Sequence, residues 1–575
     1  MLKLLKFLQE NKVDVNSIEE MLDLKELDLS DNKLPSLPSE WIGNLINLKK
    51  LNLSRNKLII LPPEIGNLIN LKELDLSHSI GITIPSEIGN LINLKILNLW
   101  YNKLSTFPKE IGNLINLEEL NLSRNKLTTL PPEISNLVNL KKLYLSFTEL
   151  TTISSEIRGA NSTLSIRGAN STESIGKLIN LKILNLSYNK LTTLSTEIRG
   201  ANSTLSIRGA NSTTSIGNLI NLEKLDLANN ELLTLPSEIG NLINLKKLDL
   251  TNNNLTILPL EIGNLINLEK LDLYGNNLTT LPSGIRGANS TLSIGNLINL
   301  KELGLSNNNL TTLPTEIGNL VNLKILRLNN NELETIPPVI YKLTKLELLD
   351  YTNSNLTFLP PEIGKFIYLE ELDLSSNNLV TLPSEISNLI NLKILNLWYN
   401  NLTTLPSEIG NLINLKELDL SYNELTTLPP EIGNLVNLEM LILTDNNLPI
   451  LPKELGKLVN LQYLDFTDNY LTDLPLFLCN LVKLESLHFY DNPITTLPIG
   501  IDKLSKDLFH NNLHKYYDES VKFRKAVKII ERAWMAYDWV PNSDGIANCA
   551  LRSFRELQES NPEIFKKKSK KKTII

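Results

Sequence analysis

His510 and His514 stand four residues apart, the spacing that sets two imidazoles on one helix face within reach of one metal ion. No glutamate follows the first histidine, as a zinc hydrolase requires, so the pair reads as a solvated terminal stretch and no metal site is assigned. Gly176-Lys177 has the start of a phosphate-cradling signature, but Leu178 takes the place of the Ser or Thr that would hold magnesium. No kinase glycine-rich loop or His-Arg-Asp segment occurs. Cys479, in Cys-Asn-Leu, reads as a core residue. No catalytic residue and no cofactor is assigned.

Binding chemistry has stronger candidates. Between two recurring leucines stand Asp28, Asp75, Asp226, Asp249, Asp272, Asp350, Asp373, Asp419 and Asp465, with Asn52, Asn98, Asn121, Asn185 and Asn396 in the equivalent place elsewhere. If successive copies stack, these make one acidic-to-amide stripe that would draw a basic or hydrogen-bonding partner. Duplication of a single unit would copy the same residues without any such purpose. Aromatics are only 6% of the chain, yet they gather beside the stripe. Trp100, Tyr101, Tyr144, Phe147 and Tyr188 form one group; Trp398, Tyr399, Tyr422, Tyr463, Tyr470 and Tyr490 form another. Tyr and Trp carry much of the energy of protein interfaces. The Trp-Tyr-Asn triplet at 100–102 and 398–400 is also open to a duplication reading.

The element that positions these residues is a repeat. Leu24-Lys-Glu-Leu-Asp-Leu-Ser-Asp-Asn32-Lys-Leu34 returns nineteen times, ending at Leu484–Ile494, mostly in steps of 23 residues. Leu27-Asp-Leu29 alternates as a short strand does. The Asn at the ninth position turns inward, where its amide satisfies backbone groups at the bend; Ser79, Thr148 and Ser354 replace it with weaker bonding. Leu-Pro opens the return stretch, with Pro at the first turn of a short helix and Gly-Asn at its end. One coil cannot bury itself, so coils must stack.

The unit LxxLxLxxNxLTTLPxEIGNLINL resembles the leucine-rich repeat family over about residues 24–500, and its Leu-Pro and Glu-Ile-Gly-Asn-Leu steps are similar to the Ras-group, intracellular 23-residue subclass. The resemblance implies an α/β solenoid, a leucine-rich repeat horseshoe with a parallel concave sheet, short convex helical turns and helical caps at both ends. It implies a protein-interaction scaffold or adaptor that binds its partner on the concave face, with small GTPases and signalling proteins as partner classes. Bacterial ligase effectors join such repeats to a Cys-x-Asp nucleophile, but Cys549 is followed by Ala550 and Leu551.

The parts are residues 1–23 as an N-terminal helical cap, 24–500 as the solenoid, 501–560 as a C-terminal helical cap and 561–575 as a basic tail. Three steps are longer because Arg-Gly-Ala-Asn-Ser-Thr-Leu-Ser-Ile, or a near copy, enters on the return side near 158–174, 199–215 and 286–294. A surface loop lengthens cheaply, so these are tolerated expansions or projecting binding loops. Phe523, Val527, Ile530, Trp534 and Tyr537 line one face of a helix flanked by Lys522, Arg524, Lys525, Lys528 and Arg532. That face caps the last coil or serves as a calmodulin-type target. The rival readings are an enzyme in the last 75 residues, or an expanded repeat array with no fixed partner.

The chain has 575 residues and a net charge of −7. Without Lys566, Lys567, Lys568, Lys570, Lys571 and Lys572 the rest would carry −13, which argues against nucleic-acid binding by the repeat body. No apolar run is long enough to cross a membrane, and Lys3 and Lys6 interrupt any secretory core. Two cysteines give no disulfide framework. A monomer in the cytoplasm is expected, with the nucleus as an alternative from the lysine tail.

Overall fold

The computed structural model describes residues 2–37, 42–151, 175–194, 216–284 and 292–494. The chain divides into two compact units, residues 1–357 with 365–373, and residues 358–364 with 374–575. The insertion cores, the lysine tail, the 523–537 helix face, His510, His514 and Cys549 lie outside the described residues.

Nineteen three-residue strands occur among the described residues, from Glu26–Asp28 to Ser486–His488. Within each unit consecutive strands pair in parallel and in strict register. Leu27 stands beside Leu51 and Leu51 beside Leu74 in the first unit; Leu395 stands beside Leu418 and Leu418 beside Leu441 in the second. The central leucine of each strand points inward and is buried, as is the leucine just after the strand (Leu29, Leu53, Leu76). Burying each such side chain contributes about 2 kcal/mol. The core is aliphatic, with Tyr351, Phe366 and Phe466 as its large fully buried rings. The Tyr351 hydroxyl donates to the Thr335 carbonyl at 2.8 Å, and burial pushes that phenol well above its usual range.

The return side differs from the expected helix with a glycine at its end. It is a five-residue 3-10 helix, as in Pro63–Asn67 and Ser237–Asn241, and the glycine sits inside it. A Cβ at Gly240 would lie 2.4 Å from the Glu261 carbonyl oxygen of the next coil, so close approach between coils, not termination, requires glycine there. The isoleucine one place earlier (Ile65, Ile88, Ile239) is fully buried. After each insertion the closing isoleucine (Ile175, Ile216, Ile294) fills that same buried place. Each inserted block therefore restores the phase of the coil.

At the N-terminal end helix α1, Leu2–Glu10, buries Leu8, and helix α2, Ile18–Leu22, buries Met21. Ser17 caps α2 by accepting from the Glu20 amide, while the Glu20 carboxylate accepts from the Asn16 amide.

Candidate functional site

The ninth-position asparagines form an internal ladder. The Asn56 side-chain amide donates to Leu29 O at 2.8 Å in the preceding coil and to Leu53 O at 2.9 Å in its own, while its Oδ1 accepts from Leu34 N at 2.9 Å. Where serine replaces it the bonding differs: Ser354 Oγ donates to Thr352 O at 3.1 Å, whereas the buried Ser79 Oγ has no hydrogen-bond partner among the described residues. A second ladder runs on the opposite edge, where Asn70 and Asn93 donate to the Ile46 and Ile69 carbonyls of the coil before.

The Asp and Asn residues of the strand face share one bond. Oδ1 of Asp28, Asn52, Asp75, Asn98, Asn185, Asp226, Asp249, Asp272, Asp419 and Asp465 accepts from the backbone amide two residues on, closing the strand. This explains why Asp and Asn interchange there: both carry the acceptor. The stripe is thus a folding device as well as a surface. Burial, together with the neighbouring Asp249, pushes the Asp226 carboxyl above its usual range; burial, together with Asp373, does the same to Asp350. All six aspartates assigned to binding are half-buried on this face.

The residue just before each ladder asparagine is held in the left-handed region. Where Asn, Asp or Gly stands there the conformation is easily adopted, as at Asn229, Asn252, Gly275 and Asp445. In six successive coils it is imposed on larger side chains: Arg55, His78, Tyr101, Arg124, Phe147 and Tyr188, with φ between 53° and 59°. Tyr399 and Tyr422 repeat this in the second unit. Each such residue costs about 1–2 kcal/mol relative to an unstrained backbone. This column went unnoticed in the sequence, although the Asn, Asp, Gly and Ser that fill it elsewhere are its signal.

The aromatic candidates fall into separate groups. In the first unit His78 meets Trp100 edge-on at 4.4 Å between ring centroids and Tyr101 at 4.8 Å. Phe147 and Tyr188 stack at 4.0 Å, and the Arg124 guanidinium lies 4.4 Å over Phe147. Tyr144 is on a strand, half-buried, and burial raises its phenol. In the second unit Trp398, Tyr399 and Tyr422 lie within 6.3 Å of one another and are all exposed. Tyr463 and Tyr490 flank His488 at 5.2 and 6.2 Å. Tyr470 is exposed just after its ladder asparagine, two residues beyond the left-handed Asp468 and outside the strand Tyr463–Asp465. Cys479 is half-buried at a return-side glycine position, not in the core.

Charge is also laddered. At the entry to the strands Glu118 bridges Lys95 and Lys141 at 2.7 and 2.6 Å, and hydrogen bonds from Lys141 and Lys95 draw its carboxyl down to about 2. A groove of about 550 Å³ along this edge is lined by Lys182, Glu223, Lys246, Glu269 and Lys301, which pair among themselves. Among the described residues no helix is long and apolar enough to span a membrane, and no side-chain cluster is set to hold a metal.

Short parallel strands repeated with a buried asparagine at each bend define a leucine-lined α/β solenoid. Family models agree: the Leucine-rich repeat region matches residues 286–382, the Leucine rich repeat matches 23–79, 90–154 and 390–448, and the single repeat matches five further coils between 180 and 481. A leucine-rich repeat protein of Leptospira interrogans has 38% identity, with 74% of this chain and 99% of that one covered, at a TM-score of 0.62. The chain belongs to the leucine-rich repeat family. The ectodomain of the Arabidopsis thaliana membrane receptor kinase GASSHO1/SCHENGEN3, in complex with CASPARIAN STRIP INTEGRITY FACTOR 2, has 32% identity over 82% of this chain and 53% of its own, at 0.63. The plant peptide hormone receptor RGFR1, in complex with RGF2, has 31% identity over 83% and 75%, at 0.60. Comparison with the curated proteins gives no match.

Proposed function

We propose that this chain is a protein-binding scaffold, without enzymatic activity of its repeat body, that grips a polypeptide partner on the strand side of its coils. The observation that carries the reading is the exposed Trp398, Tyr399 and Tyr422 cluster. In a protein whose core is built mainly of aliphatic side chains these rings stay 39–57% exposed at the surface, and Trp and Tyr are the residues that anchor interfaces. The receptor ectodomains similar to this chain are seen with peptide ligands, which supports the same use of the solenoid.

The finer reading is an intracellular adaptor of the Ras-group subclass, cytoplasmic and monomeric, with a small GTPase or another signalling protein as partner. Two cysteines in 575 residues and the Leu-Pro, Glu-Ile-Gly-Asn step support it. Capture from the native cell by the full chain, compared with Trp398→Ala/Tyr422→Ala, is the test. Loss of a captured protein is expected; an unchanged set of captured proteins would sink the reading.

A further inference from the structure

The left-handed column and the position two residues beyond it change character along the chain. In the first seven coils these positions hold Arg55, Lys57, Lys103, Arg124, Lys126 and Lys190, with Lys33 at the start and only Asp31 and Glu149 against them. In the twelve later coils they hold no lysine or arginine; Glu231, Glu332, Glu424, Asp445, Asp468 and Asp491 stand there instead. Duplication of one unit would not sort charge this way. On a body that is otherwise acidic, the early coils present a basic edge.

That edge is rigidly built. Backbone amides tie each coil to its neighbour at both positions: His78 N donates to Trp100 O at 2.9 Å, Arg124 N to Ser146 O at 2.7 Å, Lys57 N to Leu34 O at 2.8 Å and Lys126 N to Leu104 O at 2.7 Å. Arg55, Lys57, Lys103, Arg124 and Lys126 are exposed and make no ion pair among the described residues. Lys190 faces Glu149 at 3.8 Å. Among the cations stand His78, Tyr101, Phe147 and Tyr188, so each arginine of the column is followed by two rings along an edge that advances about 4.8 Å per coil.

We infer that this edge is a docking strip for an extended acidic polypeptide, one rich in Asp or Glu. The inference rests on the protein-binding reading and names the chemistry of a partner segment. The ring geometry separates it from a single-stranded nucleic acid. Bases bind by stacking on free ring faces. Here the Phe147 ring is stacked on Tyr188 at an interplanar angle of 9° and lies under the Arg124 guanidinium, so at this point of the edge the stacking surface is already in use and the ring offers its edge. Ring edges carry the positive end of the quadrupole, which suits carboxylates beside the guanidinium and ammonium groups. An extended strand repeats at about 6.7 Å for side chains on one face, so two such steps, about 13.4 Å, come near the three coils, about 14.4 Å, that separate Arg55 from Arg124, and alternate carboxylates can meet these two cations.

The test uses the full chain and a fluorescent alternating glutamate–tyrosine dodecapeptide, with a lysine–tyrosine peptide and a dodecathymidylate as comparisons. The glutamate peptide binds, its affinity falls with salt, and Arg55→Gln/Lys57→Gln/Arg124→Gln/Lys126→Gln weakens it at least tenfold, while Arg55→Lys/Arg124→Lys retains most of it. Circular dichroism confirms that both variants are folded. Failure of the wild-type chain to bind the glutamate peptide, an unchanged affinity in the quadruple glutamine variant, or tighter binding of the oligonucleotide would each overturn the proposal. The Trp398→Ala/Tyr422→Ala capture is read on different residues, so the scaffold reading and the acidic-strip reading fail separately.

Discussion

Replacing Asn253 tests whether the internal ladder or the leucines hold coil to coil. Asn253 is buried; its amide donates to Leu227 O and Leu250 O, both at 3.0 Å, and its Oδ1 accepts from Leu232 N at 3.1 Å. Both carbonyls have a second donor, Asn230 on Leu227 O and Asn276 on Leu250 O, at 3.0 and 2.9 Å. Asn253→Ala therefore orphans one N–H, that of Leu232, and halves the bonding of two carbonyls. An unsatisfied buried donor costs about 1–3 kcal/mol and each of the two lost neutral bonds roughly 0.5–1.5, so a loss of about 2–6 kcal/mol is expected. Asn253→Asp keeps the acceptor for Leu232 but turns an oxygen toward two carbonyl oxygens and buries a charge. It should be worse than alanine at neutral pH despite its matching shape. Because coils interact mainly with neighbours, the damage should be local. Hydrogen–deuterium exchange over residues 225–255, with urea denaturation alongside, reads it. An aspartate variant as well protected as the alanine variant would refute the donor argument.

Three further perturbations follow from the same geometry. Gly240→Ala places a Cβ 2.4 Å from Glu261 O and should cost about 1–3 kcal/mol in thermal denaturation, whereas Gly284→Ala, whose Cβ meets only Glu316 Oε1 at 3.5 Å, should stay within about 0.5. Asp226 has a carboxyl raised by burial, so its ionised form weakens the fold and stability rises as pH falls through that raised value toward the unfolded one. Asp226→Asn keeps the acceptor for the Ala228 amide; it should raise the melting temperature at pH 7, with the advantage vanishing in acid. Arg55→Asn relieves a left-handed backbone at an exposed site and should stabilise by about 1 kcal/mol in the same denaturation assay.

Most of the fold was legible because periodicity reports burial: the leucines that recur by sequence are the ones that are buried in each coil. The return side was read less well. Gly-Asn after Glu-Ile has the pattern of a helix end, but what selects glycine is the carbonyl of the next coil, 2.3–3.2 Å from where a Cβ would lie, a contact between residues mostly about 21 apart that no local rule reveals. Cys479 was misplaced for the same reason: it holds a glycine site and is only half-buried. The acidic stripe was visible as residues but not as bonds. Its Asp–Asn interchange pointed to a shared acceptor, and the i to i+2 hydrogen bonds explain why these two residues dominate the position, although Gly304, Arg327 and Ile442 also stand there.

Repetition gives this protein its own internal reference. A position filled by Asn or Asp in nine of the nineteen coils shows what the backbone prefers, so departures from it measure a cost the chain bears. At the left-handed column the departures are not scattered: arginine and aromatic side chains occupy six consecutive coils of the first unit and two consecutive coils of the second. Random drift would relax such residues toward Asn or Gly, one coil at a time. Strain that persists in a contiguous block, on side chains that the core does not need, is the mark of a surface kept for contact with something outside the fold. The cations sort with the first block and are absent from these positions in the second, so the acidic-strip proposal applies to the first block alone.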